Sequence, residues 1–217
     1  MIDILPPPFI FIVGALIIPL LPRGLKKAYM LLLPVVGLIN LMAIPEGTHF
    51  SFTLANYTLV LGEVDRLSRL FGIIFHIISF LCILYALNFN NNIEYVAGFL
   101  YAGGALGVVF AGDLITLFFF WESLTISSMF LILARKSERS MQSAYRYTLF
   151  HAVGGLILLA GIILFHQETG SFAFGHIGLT SLGGILIFIG FGINCAWPLI
   201  HGWLVDAYPE ATIAGTV

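Results

Sequence analysis

Residues 113–135 read DLITLFFFWESLTISSMFLILAR. The run is apolar and about long enough to cross a bilayer, with Asp113 at one end and Arg135 and Lys136 at the other. Near its middle stands one acid, Glu122, beside Trp121. An ionisable group at that depth costs several kcal/mol against lipid, so it is expected to face a bundle interior or a water path. It acts there as a proton-carrying carboxylate or stands as a static acid, neutralised or paired. The span around it sets the reading of everything else: a helix built for lipid, with a polar interior side.

Composition agrees along the whole chain. Of 217 residues, 59% are hydrophobic and 9% charged, with a mean hydropathy of +1.03. Soluble domains carry about 25% charged residues, so an integral membrane protein is expected. The charge-free stretches have helix length and do not alternate, which selects an all-α polytopic bundle over a barrel. A net charge of −2 leaves no footprint for nucleic acid. Cys82 and Cys195 both lie within apolar runs and say nothing of redox compartment. Metal-ligand spacing, a phosphate-cradling loop and a nucleophile with an adjacent base are all missing from the sequence, so this chain is expected to hold no metal or cofactor of its own. The first apolar run opens on Pro6-Pro7-Pro8 without a basic head and reads as a span, not a cleavable signal.

About seven spans are expected. The first covers Pro8 to Leu21, followed by a basic turn from Pro22 to Lys27 and a second span from Ala28 to Ala43. Ile44 to Val64 alternates β-branched and aromatic residues with polar ones and predicts a short external hairpin or extended cap. A third span runs from Leu70 to Leu87, with His76 inside it, and a fourth from Tyr95 to Ala111. The fourth carries Gly103 and Gly107 at the spacing that lets helix backbones approach. After the fifth, Asp113 to Ala134, a basic turn leads to the sixth, Ala144 to Phe165. The last, Leu179 to Ile200, breaks at Pro198 ahead of a polar tail. In units, this is residues 1–43, an external segment 44–69, and 70–217. Arg23, Lys26, Lys27, Arg135, Lys136, Arg139 and Arg146 fall on one side and only Arg66 and Arg69 on the other. A cytoplasmic basic side places the N-terminus outside a cell membrane.

Three polar positions share membrane depth: Glu122 on span five, His151 on span six and Asn194 on span seven. Tyr147, Thr148, His151, Gly154 and Gly155 lie on one side of span six at helical spacing. A carboxylate and an imidazole on neighbouring helices can hand protons to each other through water. His151 also suits a packed, hydrogen-bonded histidine, and His76, with no acid near it on its span, suits that role better still. Haem ligation by His76 and His151 would require the two to face each other at one depth. Arg146 reads as an anchor reaching the cytoplasmic surface, or as a partner for Glu122 or Glu138. Pro198, His201, Asp206, Pro209 and Glu210 make a proline-broken polar segment of the kind that lines a cavity.

The runs GVVFAGDLITLFFFWE, AYRYTLFHAVGGLILLAG and GFGINCAWPLIHGWLVDAYPEAT together resemble the antiporter-like proton-translocating subunits of Mrp-type cation/proton antiporters, membrane-bound hydrogenases and respiratory complex I. Within that family the resemblance is nearest to the D-type member of the Mrp group. It implies the N-terminal half of a 14-helix fold with a broken helix 7, built from inverted five-helix repeats. It makes Glu122 the proton-relay acid, with His151 and Asn194 beside it and Arg146, Tyr147, Thr148, His201 and Asp206 along a pathway or interface. The usual lysine on helix 7 falls, counting back from Trp203, on Asn194. Asparagine hydrogen-bonds but neither stores a proton nor tunes an acid by charge. The resemblance further implies proton or Na⁺/H⁺ translocation within a multisubunit membrane complex, with a second polypeptide supplying helix 8 onward. The competing expectation is an inactive spacer of the membrane arm.

Overall fold

The computed structural model describes residues 5–54, 56–89 and 91–216. The helices are α1 (Pro7–Ile17), α2 (Arg23–Ala43), α3 (Arg66–Ala86), α4 (Asn92–Phe110), α5 (Leu114–Leu133), α6 (Glu138–Thr169), α7 (Leu182–Asn194), α8 (Gly202–Ala207) and α9 (Ile213–Thr216). Between α2 and α3, strands β1 (Gly47–Leu54) and β2 (Tyr57–Val64) form an antiparallel hairpin in which Leu54 faces Tyr57 and Gly47 faces Val64. Each of the seven expected apolar stretches contains a helix, though only 182–194 of the last is helical. α2 to α6 are each long and apolar enough to cross a membrane, while α1, with the 3-10 turn that extends it to Leu20, and α7 are shorter.

The ends differ from the expected boundaries. Arg23, Lys26 and Lys27 belong to the first turns of α2, and α6 begins at Glu138 under the Ser137 cap. Hydropathy drops where basic side chains enter, yet a helix continues through them: Arg23 and Lys27 stand exposed to water, and Lys26 donates to the Asn92 side chain. α6 likewise runs on to Thr169 before Gly170, at φ 74, takes the left-handed cap position that favours glycine. α7 stops at Asn194, before Pro198. Ala196 and Leu199 sit at φ 53 and 77, a conformation that costs an L-residue about 1 kcal/mol or more. Trp197, preceding proline, is also steered away from helix.

Apolar burial does little to drive helices together within lipid, so close backbone packing carries much of the cohesion. Gly103 faces Ile12 and Phe11 of α1, whereas Gly107, one turn on, faces the Phe120 ring of α5. The pair thus joins α4 to two different neighbours. α6 and α7 meet along Gly161, Gly183 and Gly190: a Cβ at Gly161 would lie 2.6 Å from the Ile187 nitrogen, and one at Gly183 2.7 Å from the Phe165 nitrogen. Gly107→Ala is expected to cost about 1–3 kcal/mol by overpacking against Phe120. Gly98→Ala, on the same helix with nothing within 4 Å of the added carbon, should be neutral or slightly stabilising. Thermal unfolding of the two purified variants checks the contrast.

One core joins α1 to α4 around Phe11, Met30, Leu41, Phe99 and Phe110. A second joins α5, α6 and α7 around Leu114, Leu158, Ile162 and Ile187. A third, with Ile132, Ala144, Tyr147, Ala207 and Ala211, seats α8 and the chain beyond it on α5 and α6. Asp113 ties the hairpin to the second core. Its carboxylate caps α5 by accepting from the Thr116 nitrogen at 2.8 Å and hydroxyl at 2.6 Å, and it also accepts from the Val60 nitrogen at 2.7 Å.

Candidate functional site

Glu122 lies on α5 against α6. A Cβ added at Gly155 would collide with its Oε1, so glycine there makes the room the carboxyl occupies. That oxygen is buried and has no protein hydrogen-bond partner among the described residues; the same holds for Trp121 Nε1 and Asn194 Oδ1. Trp121 stands edge-on to Phe191 of α7 at 4.8 Å, one turn before Asn194. The α5–α6–α7 junction therefore holds three unsatisfied polar atoms, each of which favours a water or a mobile proton partner.

His151, 3% exposed, sits one turn from Gly155 along α6. A carbonyl only accepts, so the 3.0 Å contact to the Tyr147 oxygen is donated by Nδ1–H and leaves Nε2 as the basic nitrogen. The ring stacks on Tyr147 at 4.0 Å and meets Trp203 edge-on at 4.4 Å. The Tyr147 hydroxyl bonds Ser128 Oγ of α5 at 2.7 Å, and Trp203 Nε1 donates to the Ile193 carbonyl at 2.9 Å. That indole gives the Ile193 carbonyl, which already accepts from the Ala196 nitrogen at 3.3 Å, a further donor and fixes α8 beside Asn194. His151 is thus held on α6 by contacts reaching α5, α7 and α8.

The remaining expected positions separate. Arg146 pairs with neither Glu122 nor Glu138 but with Asp206, as a fork: Nη2 to Oδ1 at 2.7 Å and Nε to Oδ2 at 2.8 Å. Sixty positions separate the two, so helix spacing could not reveal the pair. Ser143 adds its hydroxyl to the Asp206 carbonyl at 3.0 Å. The Arg146 hydrogen bonds hold the Asp206 carboxyl below the usual carboxylate range, against a smaller opposing push from partial burial. Asp206 therefore contributes its stabilisation above the ordinary carboxylate pKa of about 4 and loses it as pH falls through the depressed value. Thermal unfolding of Asp206→Asn against the parent should show a gap at neutral pH that closes only below that ordinary range.

Thr148 bonds back to the Ala144 carbonyl at 2.8 Å within its own helix and His201 is exposed at the start of α8, so neither joins the Glu122 group. His76 belongs to the other core: its ring is edge-on to Phe11 at 5.1 Å and bonded to the Gly72 carbonyl, while that of His151 packs on Tyr147 and Trp203. Sequence reading missed Glu94. It is 6% exposed, accepts from the Thr212 hydroxyl, and lines a cavity of about 480 Å³ together with Tyr101, Ser128, Tyr147 and Trp203. Its available signal was an acid within the first turn of an apolar helix.

The family model described as NADH:quinone oxidoreductase/Mrp antiporter, TM matches residues 111–217, which contain α5 to α9. The Na(+)/H(+) antiporter subunit A1 of Staphylococcus aureus (strain bovine RF122 / ET3-1) is 30% identical over 94% of this chain and 29% of its own length. The subunit A1 of Staphylococcus haemolyticus (strain JCSC1435) gives the same shares. This chain therefore spans less than a third of these curated relatives, and they carry the designation A1, not the D type of the narrower resemblance. A chain of the Mrp complex from Dietzia sp. DQ12-45-1b shares the fold with a TM-score of 0.80 at 24% identity, over 97% of this chain and 25% of that one. A chain of respiratory complex I from Thermus thermophilus does so with a TM-score of 0.77 at 21% identity, over 96% and 48%. The chain belongs to the antiporter-like subunit family of multi-pass membrane proteins.

Proposed function

We propose that this chain carries part of a proton path, with Glu122 as the acid that takes up and releases the proton. The observation behind this is the Glu122 carboxyl itself, its Oε1 buried and without a protein partner among the described residues, against Gly155, which lies one turn from His151 along α6. A structural acid would be expected to hold a fixed partner, as Asp113 does. The route runs from the basic side through the cavity lined by Glu94, Tyr101 and Ser128 to Tyr147, then to the His151 ring and across water to Glu122. Asn194 orients water at the far side of the junction. The basic side is cytoplasmic in this reading, with the N-terminus outside the cell membrane.

The staphylococcal relatives are named as Na(+)/H(+) antiporter subunits, and the structural neighbours are chains of multisubunit membrane complexes. Exchange of protons for a cation, in an assembly whose other membrane subunits complete the path, is the activity that follows. A non-transporting spacer is the second reading, favoured by Asn194, which supplies no charge to Glu122. Proton flux into vesicles carrying the assembly, compared between the parent and Glu122→Gln, separates the two readings. Loss of flux in an intact assembly supports the relay, and unchanged flux makes the chain a spacer.

A further inference from the structure

On the basic side of the molecule, α2, α4 and the turn between α5 and α6 enclose a cleft of about 540 Å³. Arg23, Lys26, Lys27 and Lys136 line it together with Asn91 and Asn92, and no carboxylate does. Lys26 is 9% exposed, and its ammonium donates to the neutral Asn92 side-chain oxygen at 2.8 Å. None of the four cations is in an ion pair among the described residues. Burying a charge with one neutral acceptor is costly and calls for a counter-ion. The N-terminal turns of α2 and α4, helices of 21 and 19 residues, open at the same place and add their positive ends to the four side chains.

We propose that this cleft binds the phosphate headgroup of an anionic membrane phospholipid. Orientation of the chain in the membrane requires only that basic residues stand on this side; it does not require one to be buried in a cleft without an acid. A lipid is favoured over a free phosphate by what flanks the cations. Leu25 (56% exposed) on α2 and Ile93 (45% exposed) on α4 stand beside them, apolar and open, where acyl chains would run. The site lies at the N-terminal ends of the apolar helices α2 and α4, where headgroups are expected. It is independent of the proton path, so its test needs no transport.

The purified protein in a neutral detergent, with whatever subunits accompany it, would be titrated with dioctanoyl phosphatidylglycerol, dioctanoyl phosphatidylcholine and inorganic phosphate, reading the unfolding temperature. Saturable stabilisation by phosphatidylglycerol, absent with phosphatidylcholine, is expected. Lys27 and Lys136 are exposed, so the double variant Lys27→Gln/Lys136→Gln should fold and bind phosphatidylglycerol roughly tenfold more weakly or worse. Arg66→Gln, on the opposite side, should bind as the parent does. Equal stabilisation by both lipids, or parental binding in the double variant, overturns the site. Saturation by inorganic phosphate at the same concentrations overturns the lipid as its ligand.

Discussion

Replacing Glu122 with Gln is expected to lower coupled proton flux by about 100-fold or more, the scale on which a positioned proton-transfer group acts. The amide has nearly the volume of the carboxyl, so the space opened by Gly155 stays filled and the α5–α6 packing survives. The titratable site does not. Flux into vesicles reads the first effect, and the yield and melting temperature of the assembly read the second. If flux and assembly both stay at the parental level, Glu122 is no relay and the spacer reading stands. A collapse of the assembly would show that the carboxyl oxygens bear structure, contrary to the unpartnered Oε1.

The second large effect is structural. Asp113→Ala removes the cap on α5, a loss of about 0.5–2 kcal/mol. It also strips the half-buried Val60 nitrogen of its acceptor, at about 1–2 kcal/mol, the lower part of the range for a donor left unpaired. Together a destabilisation of about 1.5–4 kcal/mol is expected. The damage should concentrate where the hairpin meets α5, since the Gly112 nitrogen bonds the Val60 carbonyl at 3.0 Å and the Leu114 nitrogen bonds the Phe172 carbonyl at 2.9 Å. Amide exchange should rise first in β2 and at 171–173, ahead of α2 and α3. Uniform exchange across the chain, or a variant as stable as the parent, would contradict this.

Asp113 also marks a limit of reading the sequence. As the end of an apolar run it was visible; as a latch between strand, helix and loop it was not, because Val60 lies 53 positions away. The helices themselves were legible because lipid demands long charge-free stretches, and the hairpin because its alternation differs from theirs. Their ends were not: Lys26 and Arg139 look like loop residues, although helix continues beneath them. For the site, Glu122 and His151 announced themselves as rare polar groups at depth, and Gly155 explains how α6 accommodates the acid. The Asp206 partner of Arg146 and the Thr212 partner of Glu94 join segments 60 and 118 positions apart, and the hold of Trp203 on Ile193 spans the break after α7. Only tertiary packing brings them together.

The glycine seam between α6 and α7 has a mechanical meaning. Backbones that touch without intervening side chains have no soft layer to shear, so the two helices move as one stiff body, with Leu158, Gly161 and Phe165 locked against Gly190, Ile187 and Gly183. Compliance then resides in residues 195–201, where the α-helical ladder gives way to turns and two left-handed residues already hold the chain off its preferred path. Any stroke that repositions α8 against His151 bends that joint and leaves the rail beneath it straight.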